Sequence, residues 1–147
     1  QLLLPRPYHV RLLAVVPKEH RLASLPRFPI KEVENEPFIS LLETSDHDAR
    51  RALEAAGVKP NIRYTTKDDY AIIAMVEQGL GVSIMPELLL SGRSDNVRIM
   101  ELTPPASRTI GLCLPDADRA GPATLRFAQC VSEWVREHYS RQANTTS

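Results

Sequence analysis

One stretch, Thr65 to Pro86, constrains the fold more than any other. It reads Thr65-Thr66-Lys67-Asp68-Asp69-Tyr70-Ala71-Ile72-Ile73-Ala74-Met75-Val76-Glu77-Gln78-Gly79-Leu80-Gly81-Val82-Ser83-Ile84-Met85-Pro86. Thr66 followed three residues later by Asp69 has the form of a capping box, so a helix is expected to start there. Ile72, Ile73 and Val76 share one helical face. Gly79 sits where a helix ends in a left-handed residue, which glycine adopts without a Cβ penalty. Leu80 to Met85 is almost wholly apolar, the mark of a strand covered on both faces. Pro86 stops it by removing a ladder donor. Gly79, Gly81 and Pro86 are therefore read as structural turn residues between a helix and a buried strand.

The same helix–strand alternation runs through the rest of the chain. Tyr8 to Val16 is a strand with Leu12-Leu13-Ala14-Val15-Val16 apolar throughout, closed by Pro17. Glu19 to Leu25 suits a short helical turn and Ile30 to Asn35 a one-turn helix. Pro37 to Leu42 is a second strand. Ser45 with Asp48 repeats the capping-box pattern ahead of Ala49, Ala52, Leu53 and Ala56, and Gly57 ends that helix. Asn61 to Thr65 is a third strand. Glu87 to Leu90 suits a helical turn. Val97 to Leu102 is a short strand that Thr103-Pro104-Pro105 is expected to break, and Thr109 to Leu114 is another. Pro122 suits the first turn of a last helix reaching Tyr139, with Leu125, Ala128, Val131, Val135 and Tyr139 on one face and Phe127 and Trp134 widening it. Strands alternating with helices point to an α/β layered fold with a mostly parallel sheet.

Composition narrows the function classes. The chain has 147 residues, 43% of them hydrophobic, enough for one globular core. Its 18 basic and 18 acidic side chains cancel, which argues against a nucleic-acid surface on this chain. No apolar run approaches the roughly 20 residues needed to span a bilayer. Gln1 to Arg6 lacks the order of a signal peptide. The chain opens in mid-pattern without an initiator methionine, so a piece of something longer is expected. Cys113 and Cys130 have no metal-ligand spacing and are read as buried thiols in a reducing compartment.

Catalytic and metal chemistry find little support. His9, His20, His47 and His138 show no paired ligand spacing, so no metal site is expected. Ser40, Ser45 and Ser83 lack a Gly-x-Ser-x-Gly setting. Gly79-Leu80-Gly81 follows a helix and precedes a strand, the reverse of a dinucleotide fingerprint, and no cofactor is expected. Asp68 and Asp69 read as capping residues with a favourable helix-dipole interaction. Two hydroxyl-rich helix starts remain, Thr44-Ser45 and Thr65-Thr66. Both fall at the carboxyl edge of the sheet, where hydroxyls and amides can meet a small ligand or simply cap their helices. Asp46, Asp48, Asp68 and Asp69 would oppose an anionic ligand there unless a cation such as Lys67 or Arg63 compensates.

Three segments resemble LysR-type transcriptional regulators. Leu13-Ala14-Val15-Val16-Pro17-Lys18-Glu19-His20-Arg21-Leu22-Ala23 is similar to the family's strand, proline and His-Pro-Leu-Ala segment, with Arg21 where the family usually has proline. Glu36-Pro37-Phe38-Ile39 resembles the strand that follows, and Val76 to Pro86 the family's Val-x-x-Gly-x-Gly-(Val/Ile)-x-x-x-Pro segment. The resemblance covers about Tyr8 to Tyr139. It implies a type II periplasmic-binding-protein-like, three-layer α/β fold. Residues 1–17 would be a leading loop and crossover strand, 18–105 the second lobe, and 106–147 the return crossover strand and C-terminal helix. The DNA-binding domain and most of the first lobe would be absent, and the last helix would pack mainly on that lobe.

The resemblance further implies a small-molecule effector held between the lobes. Second-lobe contacts would come from Leu42, Glu43, Thr44 and Ser45 after the Phe38 strand and from Thr65 and Thr66. It implies a cytoplasmic, non-catalytic regulator that assembles as a homo-oligomer, dimer or tetramer, and meets DNA only through the missing N-terminal domain, with no membrane contact. The alternatives are an exported solute-binding protein, or a lyase or dehydratase-type enzyme, on the same fold.

Overall fold

The computed structural model describes residues 2–3, 8–42, 48–92, 96–114 and 119–139. The chain divides into two units, residues 10–108 and a second unit made of 1–9 with 109–147.

The larger unit is organised around β2 (Tyr8–Pro17). Its apolar run alternates between two cores, which is why no polar residue interrupts it. Leu12, Ala14 and Val16 point to one side, where Phe28, Ile30, Val33, Phe38, Ala49 and Leu53 pack. Leu13 and Val15 point to the other, against Ile39, Ile72, Ile73, Val76 and Met85. The two-residue period of a strand produces this division. Helix α1 (Asp48–Ala55) covers the first face and α2 (Asp69–Glu77) the second, giving the expected three layers.

The central sheet has the order β3 (Phe28–Pro29), β7 (Val97–Ile110), β2, β6 (Ser83–Pro86). A parallel bridge between Phe38 and Val82 adds β4 (Pro37–Leu41) beyond β6. The strand β5 (Asn61–Thr66) pairs in parallel with β4 and forms the edge. The sheet is mixed: β2 runs antiparallel to β6, whereas β3·β7 and β4·β5 are parallel. The edge position of β5 explains why Ile62 and Tyr64 stay exposed.

The turns behave as their residues dictate. Gly57 and Gly79 both have positive φ, at 67° and 76°. Gly92 does too, at 73°, after α3 (Glu87–Leu90). Gly81 has a different role: a Cβ there would collide with the Pro37 carbonyl. That carbonyl accepts the Val82 amide at 2.9 Å, and the Val82 carbonyl accepts the Ile39 amide at 2.9 Å. The buried Ser83 hydroxyl donates to the Ile39 carbonyl at 2.7 Å. Glycine thus lets the strand approach β4 closely enough to bond.

Two elements depart from expectation in this unit. β7 passes through Thr103-Pro104-Pro105 without a break. Its ladder to β3 ends at Thr103, and the prolines stay exposed in an extended backbone that their fixed φ permits. Glu19 to Leu25 makes successive three-residue turns, Ala23 to His20 and Leu25 to Leu22, in place of a helix. His20 Nδ1 accepts the Leu22 amide there, which leaves the ring proton on Nε2. Nε2 lies 3.1 Å from Glu36 Oε2 but outside hydrogen-bond alignment.

In the smaller unit, β1 (Leu2–Leu3) pairs antiparallel with β8 (Cys113–Leu114). Thr109 Oγ1 lies 3.2 Å from His9 Nδ1. Helix α4 spans Pro122–Tyr139 as its periodicity predicts. Ala128 is buried and Val131 and Val135 half-buried, whereas Leu125, Phe127 and Trp134 are exposed. Trp134 stacks on His138 at 4.4 Å. Both cysteines are exposed, contrary to the buried thiols expected. Cys130 lies two residues from Ala128, about 200° around the helix, and so faces solvent.

Candidate functional site

Parallel strands β4 and β5 end side by side. Ser40 is in register with Thr65 and Leu41 with Thr66. The Leu42 amide then donates to the Thr66 carbonyl at 2.9 Å. Leu42, Thr65 and Thr66 are therefore brought together at the carboxyl edge of this pair, where α/β sheets place ligands. Thr65 is exposed and Thr66 half-buried. Glu43, Thr44 and Ser45 lie outside the described residues, and with them the Ser45–Asp48 capping box.

The start of α2 differs from the expected capping box. Asp68 is the N-cap, and its Oδ1 accepts the Tyr70 amide at 2.9 Å. Thr66 Oγ1 instead accepts the Asp68 amide at 3.2 Å. The chain turns once at Thr66 and caps two residues later, because Asp68 keeps the extended backbone an N-cap needs. The Thr66 hydroxyl is thus used as an acceptor, and its own proton remains available as a donor.

The sequence reading missed Arg108. Ala106 packs on the core that holds Ala49 and Leu53, and two residues on, the same face of β7 carries Arg108. Its Nη1 donates to Asp48 Oδ2 at 3.1 Å, at the first residue of α1. Asp48, read as an obstacle to anions, is therefore paired with a cation other than the Lys67 or Arg63 anticipated. No local pattern signals a contact between residues 60 positions apart.

Among the described residues no cluster of His, Cys, Asp and Glu could hold a metal ion. No described helix is long and apolar enough to cross a membrane.

Comparison with known proteins agrees with this architecture. The LysR substrate binding domain family matches residues 6–136. The HTH-type transcriptional regulator YybE of Bacillus subtilis (strain 168) is 28% identical over 131 residues, covering 88% of this chain and 44% of that protein. The regulator YwbI of the same organism is 33% identical over 97 residues, 64% of this chain and 32% of that one. The chain thus spans less than half the length of these relatives. Among solved structures, the effector binding domain of QuiR in complex with shikimate superposes with a TM-score of 0.77 at 22% identity, covering 94% of this chain and 66% of that one. The regulatory domain of Synechocystis PCC6803 CcmR in complex with 2-PG gives 0.73 at 16% identity, covering 90% and 67%. At these identities the structures establish the periplasmic-binding-protein-like fold. With the family match across nearly its whole length, the chain belongs to the LysR substrate-binding domain family.

Proposed function

We propose that this chain senses a small molecule on behalf of a bacterial transcription regulator. The observation that carries the reading is the shared carboxyl edge of β4 and β5, where Leu42 bonds to Thr66 and two threonines present hydroxyls. Glu43, Thr44 and Ser45 complete the proposed contact set with Leu42, Thr65 and Thr66. The shikimate-bound QuiR domain and the 2-PG-bound CcmR domain support a ligand-holding role for the fold. The HTH-type regulators among its relatives favour this reading over an exported solute-binding protein or a dehydratase.

In this reading the chain catalyses no reaction. Within a longer, cytoplasmic regulator it supplies the second lobe of the effector domain. Effector binding alters how a dimer or tetramer holds promoter DNA, which is gripped by a separate helix-turn-helix domain. A promoter-reporter titration with the full-length regulator tests the site. Thr66→Gly removes the hydroxyl and its bond to the Asp68 amide but keeps the Asp68–Tyr70 cap bond, and Ser45→Gly removes another while largely sparing any cap. Losing a hydrogen bond to a bound ligand costs about 1–3 kcal/mol, a rise in half-saturating inducer of roughly five- to 150-fold. Unchanged half-saturation in both variants would leave these hydroxyls a purely structural role.

A further inference from the structure

We propose that Arg108 is an anion-binding residue of this domain, taking a carboxylate or phosphate on the side-on edge of its guanidinium. The inference rests on the sensing role above and adds the chemical class of what is sensed. Arg108 Nη1 is occupied by Asp48 at 3.1 Å. Nε is buried and has no acceptor among the described residues. Nη2, which shares an edge with Nε, has no acceptor among the described residues either. A cationic N–H buried without an acceptor is unfavourable, and native structures rarely leave one so. Two parallel N–H groups on one planar edge match the two oxygens of a carboxylate or phosphate, which is why arginine is used for such groups.

Asp48 strengthens the case. Its carboxylate holds one arm of the fork, so the guanidinium does not have to be ordered when a ligand arrives. The Arg108 side chain as a whole is 32% exposed, although its Nε is covered. The fold also places Arg108 next to the first residue of α1. Asp48 offsets part of the positive charge, so binding depends on the geometry of the fork more than on net charge. Lysine, a point charge without a fork, should not replace it.

Nitrogen-15 NMR of the labelled chain tests this without a known effector. Inorganic phosphate, sodium acetate and sodium chloride are titrated at matched ionic strength while the Arg108 Nε–H resonance is followed. A saturable shift with phosphate, acetate or both, absent with chloride, is expected. A response to one alone assigns phosphate or carboxylate as the group recognised. Arg108→Lys, with its backbone spectrum preserved, should weaken binding of the probe, read in both proteins at the Asp48 backbone amide, by at least about tenfold. The same spectra report the Leu42, Thr65 and Thr66 amides. An Arg108 response with those amides still would keep the anion site and sink the sheet-edge reading. Movement of those amides with Arg108 Nε–H unmoved, or a shift no different from that in chloride, would overturn the role of Arg108.

Discussion

Gly81 lies against the carbonyl oxygen of Pro37 so closely that no Cβ fits between them. Gly79, two residues earlier, has open space around it but a φ of 76°. The two glycines are needed for different reasons, one for room and one for backbone conformation.

That difference predicts unequal costs. Gly79→Ala places a side chain in the left-handed region and should cost roughly 1–2 kcal/mol. Gly81→Ala must push β4 away from Val82, breaking two backbone bonds at the sheet centre, and should cost about 3 kcal/mol or more. Urea denaturation of both variants measures this; equal midpoints would mean the Pro37 contact relaxes freely.

Two isoleucines make a second contrast. Ile72 is 1% exposed on α2 and Ile62 is 51% exposed on the edge strand β5. Ile72→Ala should cost about 2–5 kcal/mol through the cavity it leaves. Ile62→Ala should change stability by no more than about 0.5 kcal/mol. Thermal unfolding of the two variants checks the assignment of β5 as an edge.

Acid should weaken the cluster beside the 3₁₀ turn at Ile30–Asn35. Arg21 Nη2 donates to Glu32 Oε2 at 2.6 Å, with Asn35 a lesser donor at 3.4 Å. These bonds, the Arg21 one first, hold the Glu32 carboxyl below its ordinary value. Since the folded value is the lower one, the contribution is complete above the unfolded pKa and is lost as pH falls through the folded pKa. Carbon-13 titration of the Glu32 carboxyl should show the lowered value, and Arg21→Ala should return it to that of an ordinary glutamate. No difference between the two proteins would remove Arg21 as the cause.

Arg11 ties three elements on the far side of the sheet. Its amide and Nε donate to Glu87 at 3.0 and 2.8 Å, and its Nη1 to Glu101 at 2.7 Å. Arg11 is more than half exposed, so water and salt screen the network. Glu87→Gln should therefore cost only about 0.2–1 kcal/mol. Denaturant melts at low salt and in 1 M salt should show that cost shrinking toward zero; a larger, salt-insensitive loss would mean that α3 depends on the Glu87–Arg11 amide bond itself.

Much of this molecule is determined by residues close together in sequence. The run Leu12–Val16 has no polar position, so β2 must be covered on both faces, and a half-exposed strand is excluded by the same run. Gly57 and Gly79 end their helices because the backbone there turns left-handed, a property of a few consecutive residues. The limits of α4 follow from Pro122 and a 3.6-residue apolar period. The family resemblance rests on the same local segments and extends over nearly the same residues as the family match. Tertiary structure alone decided the rest. Whether Thr66 or Asp68 caps α2 depended on how the chain leaves the β4–β5 pair. The ladder between β7 and β3 ended at Thr103, just ahead of the β7 prolines. Arg108 met Asp48, and Gly81 met Pro37, only because strands distant in sequence came side by side. Capping, turning and amphipathic periodicity act over a few residues and can be read in order along a chain; a close approach or a shared charge belongs to two segments at once, and no one segment encodes it.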